Sequence, residues 1–98
     1  MDLAYSLGEP AAVGGKRHEL DGDRVVLGRS RDCDIPIEDP NVSRRHAEVV
    51  HEDGGWWVVD LGSTNGVEVN GERVKRARLE PDDRIVIGRT ELVFEHTG

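Results

Sequence analysis

Twelve glycines punctuate the chain so often that no window of a dozen residues repeats apolar positions at spacings of three and four without a glycine or proline. Helical architectures are thereby excluded. What recurs instead is a short β-branched run followed by a turn signal, the pattern of an all-β sandwich or barrel. Leu3–Leu7 and Lys16–Leu20 read as early strands around Gly-Glu-Pro and Gly-Gly, and Asp21-Gly22-Asp23 turns the chain into Arg24–Leu27. Ile35-Pro36-Ile37 is short, and its proline confines it to a sheet edge. From His46 to His51, Ala47 and Val49 share one face while Glu48 and Val50 take the other, and Asp53-Gly54-Gly55 leads into Trp56–Leu61. Asn70-Gly71 between Val67–Val69 and Glu72–Val74 is the strongest hairpin signal, since both residues tolerate the positive φ of a type I′ turn. Pro81-Asp82-Asp83 then turns into a terminal hairpin of Arg84–Gly88 and Glu91–His96.

About ten short strands leave little for helix and predict two sheets packed face to face. Val26, Val58, Leu61, Val69, Ile85, Ile87, Val93 and Phe94 are core candidates. Adjacent Trp56 and Trp57 must point to opposite faces of their strand, one inward and one outward. At 98 residues the chain makes a single domain, 1–98, able to bury only about 60–65% of its unfolded surface.

The net charge of −7 argues against general nucleic-acid binding, which needs a basic stripe to displace phosphate counterions. No run approaches the ~18 apolar residues of a membrane span, so neither direct membrane insertion nor a location outside the cytoplasm is expected. Cys33 is alone, so no internal disulfide or cysteine-rich zinc site is expected, and it reads as a small, semi-buried apolar residue. His18, His51 and His96 are too far apart to form a metal motif. Neither a metal nor a cofactor is expected.

Residues 1–27, 28–46 and 47–98 carry −2, 0 and −5, and the arginines of the neutral middle segment gather at its ends: Arg29 and Arg31, then Arg44 and Arg45. A fold that joined those ends would make a positive pocket on an acidic protein. Three loop segments carry the chemistry. They are Gly28-Arg29-Ser30, Asp39-Pro40-Asn41-Val42-Ser43-Arg44-Arg45-His46, and Leu61-Gly62-Ser63-Thr64-Asn65-Gly66. Guanidinium, hydroxyl and amide donors are the set that a phosphate dianion takes. Taken singly, each segment is an ordinary turn.

Their order and spacing resemble the forkhead-associated (FHA) domain: Gly28-Arg29, then Ser43-Arg44-Arg45-His46, then Asn65-Gly66, with Val69-Asn70-Gly71 also in the family's pattern. The resemblance runs from about Arg24 to Glu95, and residues 1–15 match most loosely. It implies a β-sandwich of about eleven strands with its binding loops at one end, and a non-enzymatic module that binds phosphothreonine peptides. The resemblance implies that Arg29, Ser43, Arg44 and Thr64 bind the phosphate and that Asn65 holds the peptide backbone, with Gly28, His46 and Gly66 as structural support. Asn41, Val42, Arg89 and Thr90 would set selectivity at the third residue after the phosphothreonine. Arg89 would favour an acidic residue there and Val42 an aliphatic one.

The wording Val42-Ser43-Arg44-Arg45-His46-Ala47-Glu48 resembles bacterial, actinobacterial members that work with Ser/Thr protein kinases. Implied partners are therefore phosphothreonine-containing proteins, either kinases or their substrates, met by a monomeric domain. The alternatives are phosphate-independent scaffolding through a sheet face bearing Trp56 or Trp57, and, remotely, a hydrolase using Ser43, His46 and Asp60. The last lacks the Gly-x-Ser-x-Gly elbow.

Overall fold

The computed structural model describes residues 2–5, 16–20 and 22–95. Its eleven strands are β1 (Asp2–Tyr5), β2 (Lys16–Glu19), β3 (Arg24–Gly28), β4 (Ile35–Pro36), β5 (Ala47–Glu52), β6 (Gly55–Asp60), β7 (Val67–Val69), β8 (Glu72–Val74), β9 (Arg76–Leu79), β10 (Arg84–Ile87) and β11 (Thr90–Glu95). A six-stranded sheet has the order β2-β1-β11-β10-β7-β8, and a five-stranded sheet the order β4-β3-β5-β6-β9. All pairings are antiparallel except β3 with β4, where Leu27 lies beside Ile35. Pro36 lacks a backbone donor, which places β4 at the sheet edge.

Two hairpins follow directly from their turn residues. Asn70 and Gly71 have φ of 51° and 87°, and Asp53 and Gly54 have φ of 52° and 74°, the positive pairs a type I′ turn requires. The second turn is one residue shorter than the Asp53-Gly54-Gly55 signal, because Gly55 already pairs with Glu52. In the early strands, β1 overlaps the expected Leu3–Leu7 over Leu3 to Tyr5, and the rest of that stretch, with Asp21 and His96, lies outside the described residues.

One strand has no counterpart in the sequence reading. β9, Arg-Ala-Arg-Leu, contains no β-branched residue, yet it pairs with β6 along its whole length. Its alternation is carried by Ala77 and Leu79 facing inward between exposed arginines. Pairing with β6 supplies what propensity does not.

The two inner faces meet in a core that includes Val25, Leu27, Ile35, Ile37, Val49, Val58, Ile85, Ile87, Leu92 and Phe94. Each such side chain contributes about 1.5–3 kcal/mol on burial. Two of the expected core residues are placed otherwise. Val93 is half-buried because alternation along β11 gives the inward positions to Leu92 and Phe94, and Leu61 is half-buried in a loop. Val26 is buried as expected, but on the outer face of its sheet and apart from the main cluster. Val69 packs against the core from its margin. Trp56 packs against the core and stacks on His51 at 4.7 Å, whereas Trp57 lies on the outer face under the Arg76 guanidinium, 4.5 Å from its ring centroid.

Candidate functional site

The loops β3–β4, β4–β5 and β6–β7 meet at one end of the sandwich, and the first contact between them is made by a glycine. A Cβ on Gly28 would lie 2.2 Å from the Arg44 carbonyl oxygen, so only glycine allows this approach. The backbones then zip together. His46 N donates to Leu27 O at 2.9 Å, Arg29 N to Ser43 O at 3.0 Å, and Ser30 N to Arg44 O at 3.1 Å. The two ends of the neutral segment are thereby joined, with exposed Arg29 beside Ser43 and Arg44.

His46, wholly buried, ties this pair of loops to the third. Its Nδ1 accepts from Ser43 N at 3.0 Å, and its Nε2–H donates to Gly66 O at 2.7 Å, an arrangement that requires the proton on Nε2. The Ser43 hydroxyl oxygen accepts from Thr64 N at 3.1 Å, and Asn65 Nδ2 donates to Asn41 O at 2.6 Å. The third loop is closed on itself by Asp60 Oδ1, which accepts from Ser63 N, and by Ser63 Oγ, which accepts from Gly66 N. Gly66 has a φ of 81° and lies against the Arg73 guanidinium.

These bonds surround an open depression of about 320 Å³. Arg29, Ser43, Arg44, Thr64 and Asn65 line it, together with Pro40, Asn41 and Val42. All five residues expected to bind phosphate or peptide backbone share this wall. Neither Arg29 nor Arg44 forms an ion pair among the described residues, where Arg24–Glu48, Arg76–Glu52 and Arg84–Glu91 are the pairs formed. Both guanidinium groups are left to meet an anion.

The sequence pattern missed Asp39, which holds the site's second flank. Its carboxylate is buried; Oδ1 accepts from Asn41 N at 2.8 Å and Asn41 Nδ2 at 3.3 Å, while Oδ2 accepts from Arg89 N at 2.7 Å and the Thr90 hydroxyl at 3.0 Å. Burial alone would raise its pKa, but these hydrogen bonds outweigh it and hold the carboxyl below its ordinary value. No local signal marks this residue, because half of its partners lie about fifty positions away.

Of the four residues expected to set selectivity, Asn41 and Val42 line the depression, whereas Arg89 and Thr90 do not. Val42 is 2% exposed and belongs to the core, and Thr90 is buried with its hydroxyl committed to Asp39. Exposed Arg89 and half-buried Asn41 keep side-chain surface for a ligand.

Cys33 is a small apolar residue as expected, but buried rather than semi-buried; its thiol donates to Arg44 O at 3.2 Å, and burial pushes its pKa up. The residues of the remote hydrolase reading are engaged in other bonds. The Ser43 hydroxyl meets Thr64 N, the facing His46 nitrogen is taken by the Ser43 backbone, and Asp60 caps Ser63. No cluster among the described residues has the His, Cys, Asp or Glu grouping that holds a metal, and none of their helices is long and apolar enough to cross a membrane.

A family model for the FHA domain matches residues 25–88. The chain is 48% identical over 80 residues to the glycogen accumulation regulator GarA of Mycolicibacterium smegmatis, an alignment covering 82% of this chain and 51% of that protein. It is 44% identical over 80 residues to an oxoglutarate dehydrogenase inhibitor of Corynebacterium diphtheriae, covering 82% and 56%. The chain thus spans about half the length of these relatives. Among solved structures, the FhaA FHA domain complexed with the intracellular domain of Rv3910 superposes with a TM-score of 0.83 at 30% identity, over 94% of this chain and 96% of that one. Mycobacterium tuberculosis EmbR in complex with a low-affinity phosphopeptide superposes with a TM-score of 0.80 at 32% identity, over 96% of this chain and 24% of that one.

Proposed function

The chain belongs to the FHA-domain family, and from that premise we propose that it is a phosphothreonine-peptide recognition module, a non-enzymatic adaptor that reads Ser/Thr-kinase phosphorylation of a partner or of its own parent chain. The observation that carries this reading is the convergence of Arg29, Ser43, Arg44 and Thr64 on one depression, with neither guanidinium in an ion pair.

Phosphorylation adds about −1.5 to −2 charge and three acceptor oxygens, and each donor in the depression has a task for them. Arg29 supplies the bidentate fork that matches phosphate, and Arg44 adds a second cation. The Ser43 oxygen already accepts from Thr64 N, so its own hydrogen is free to donate to a phosphate oxygen. The Thr64 hydroxyl closes the cradle. Asn65 spends one amide hydrogen on Asn41 O, leaving its second hydrogen and its Oδ1 for a peptide C=O and N–H. That contact holds an extended peptide without reading its side chains. Selectivity at the third residue after the phosphothreonine falls to Arg89 and Asn41, which favours an acidic residue there, because Val42 and Thr90 are committed inward.

The mycobacterial and corynebacterial relatives are named as a regulator and an inhibitor. In keeping with them, the partners here are Ser/Thr kinases or their substrates, met in the cytoplasm by a monomeric domain. Titration calorimetry with matched phosphothreonine, phosphoserine and unmodified peptides tests the reading. The phosphothreonine peptide is expected to bind best, and Arg29→Ala to weaken it by about 10- to 100-fold, the loss of one or two charge-assisted hydrogen bonds. Equal affinity for modified and unmodified peptides would refute it.

A further inference from the structure

Four of the six residues from Arg73 to Arg78 are basic, in a chain whose net charge is −7; with those four cations set aside the remainder stands at −11. The family motif does not use this run. It begins at Arg73, whose guanidinium lies against Gly66 of the phosphate-site loop, passes Lys75, and continues into β9, where Arg78 lies against Gly55 at the opposite end of β6. All four side chains are exposed. Only one of them, Arg76, meets a carboxylate among the described residues, that of Glu52 at 2.6 Å.

Among the described residues β9 is also the last strand of its sheet. Asp60 N donates to Lys75 O, which makes those two a hydrogen-bonded pair; by antiparallel alternation Ala77 and Leu79 bond to β6. Arg76 and Arg78 therefore direct their N–H and C=O groups away from β6, toward the open edge. Their side chains stand on the outer face of the sheet beside half-buried Trp57, which Arg76 covers at 4.5 Å. Arginine on an edge strand keeps a second copy of the same strand away. The same charges admit a strand of opposite sign.

We propose that the β9 edge, with Arg76 and Arg78 flanking Trp57, is a second docking surface that takes an acidic, extended segment of a partner protein as an added strand. Main-chain bonds to Arg76 and Arg78 would hold the segment over about 13 Å, and carboxylates at alternate positions would face the two guanidiniums, while the intervening side chains sit beside Ala77 and Leu79. Acidity over the rest of the molecule disfavours a long polyanion or an anionic membrane, whose charge would extend past this strip. The surface lies along the sheet from the phosphate site and does not depend on it.

The test is amide NMR and fluorescence anisotropy with a labelled peptide of about eight residues alternating Glu and Val. Its Lys/Val counterpart, a single-stranded DNA oligonucleotide and phosphatidylserine vesicles serve as comparisons. The expected result is that the Glu/Val peptide shifts the amides of Arg76 and Arg78. Its affinity should fall about 10-fold in Arg78→Glu, where like charges face each other, and be lost in Arg78→Pro, which removes the outward backbone donor together with the guanidinium. Dispersed spectra of both variants verify folding, and Arg78→Glu alone suffices should the proline variant unfold. Ser43→Ala should leave this binding unchanged, and Arg78→Glu should leave the phosphothreonine peptide's affinity unchanged, so the two sites fail separately. Absence of shifts on β9, equal binding of the Lys/Val peptide, tighter binding of DNA or vesicles, or loss of binding in Ser43→Ala would each overturn the proposal.

Discussion

Asp39 shows how a single side chain can govern a site it does not line. Each of its two oxygens gathers a pair of donors, one from the β4–β5 loop and one from the β10–β11 turn, where Gly88 leaves just enough room: a Cβ there would lie 2.9 Å from Asp39 Oδ2. Asn41, held by this carboxylate, in turn offers its carbonyl to Asn65. In Asp39→Asn only one acceptor atom remains, and an NH2 group faces the other pair of donors. Because the folded-state pKa is depressed, the charged form contributes stability above the unfolded value of about 3.9, and that contribution is lost as pH falls through the folded value. Urea midpoints are thus expected to show wild type more stable than Asp39→Asn at neutral pH, with the gap closing below about pH 4. A gap independent of pH would contradict this. Glycine and arginine at positions 28 and 29 were legible as a motif, whereas Asp39 was not, since an acidic residue opening a proline turn is locally unremarkable in kind.

At the scale of elements, legibility follows how local the determinant is. The β7–β8 hairpin was evident because Asn70-Gly71 alone sets its twist and register. Gly71 has open space around it, so Gly71→Ala isolates the backbone cost of a φ of 87°. The expected loss is about 1–2 kcal/mol, read as a lower urea midpoint at unchanged m-value. Strand β9 is the opposite case. Its polar sequence carries no strand signal of its own, and it forms because β6 presents a partner edge and the core accepts Ala77 and Leu79. The inward or outward fate of Val26, Val93 and Thr90 was hidden for a related reason: alternation sets parity within a strand, but which parity faces the core depends on the opposing sheet.

For the molecule as a whole, charge placement matters more than total charge. The arginines at the two ends of residues 28–46 converge through the Gly28–Arg44 approach, while most other surface charge is acidic. Phosphopeptide binding should therefore weaken with added salt, and duplex DNA in about 100-fold excess should not displace the peptide in a competition assay. Displacement by DNA would show that the site's field extends beyond one phosphate.

What the sequence determined by itself is whatever acts over a few residues: glycine spacing that forbids helices, turn residues that accept positive φ, and period-two runs that make strands. Those suffice for an all-β sandwich, and the order of its three loop motifs was enough to suggest the family. Tertiary structure alone decided which groups face one another, from His46 linking Ser43 to Gly66, through Asp39 reaching Arg89 and Thr90, to β9 closing one sheet with an open edge. The physical reason is that these contacts join segments up to about fifty residues apart, and such distances close only when the two sheets bury their inner faces together.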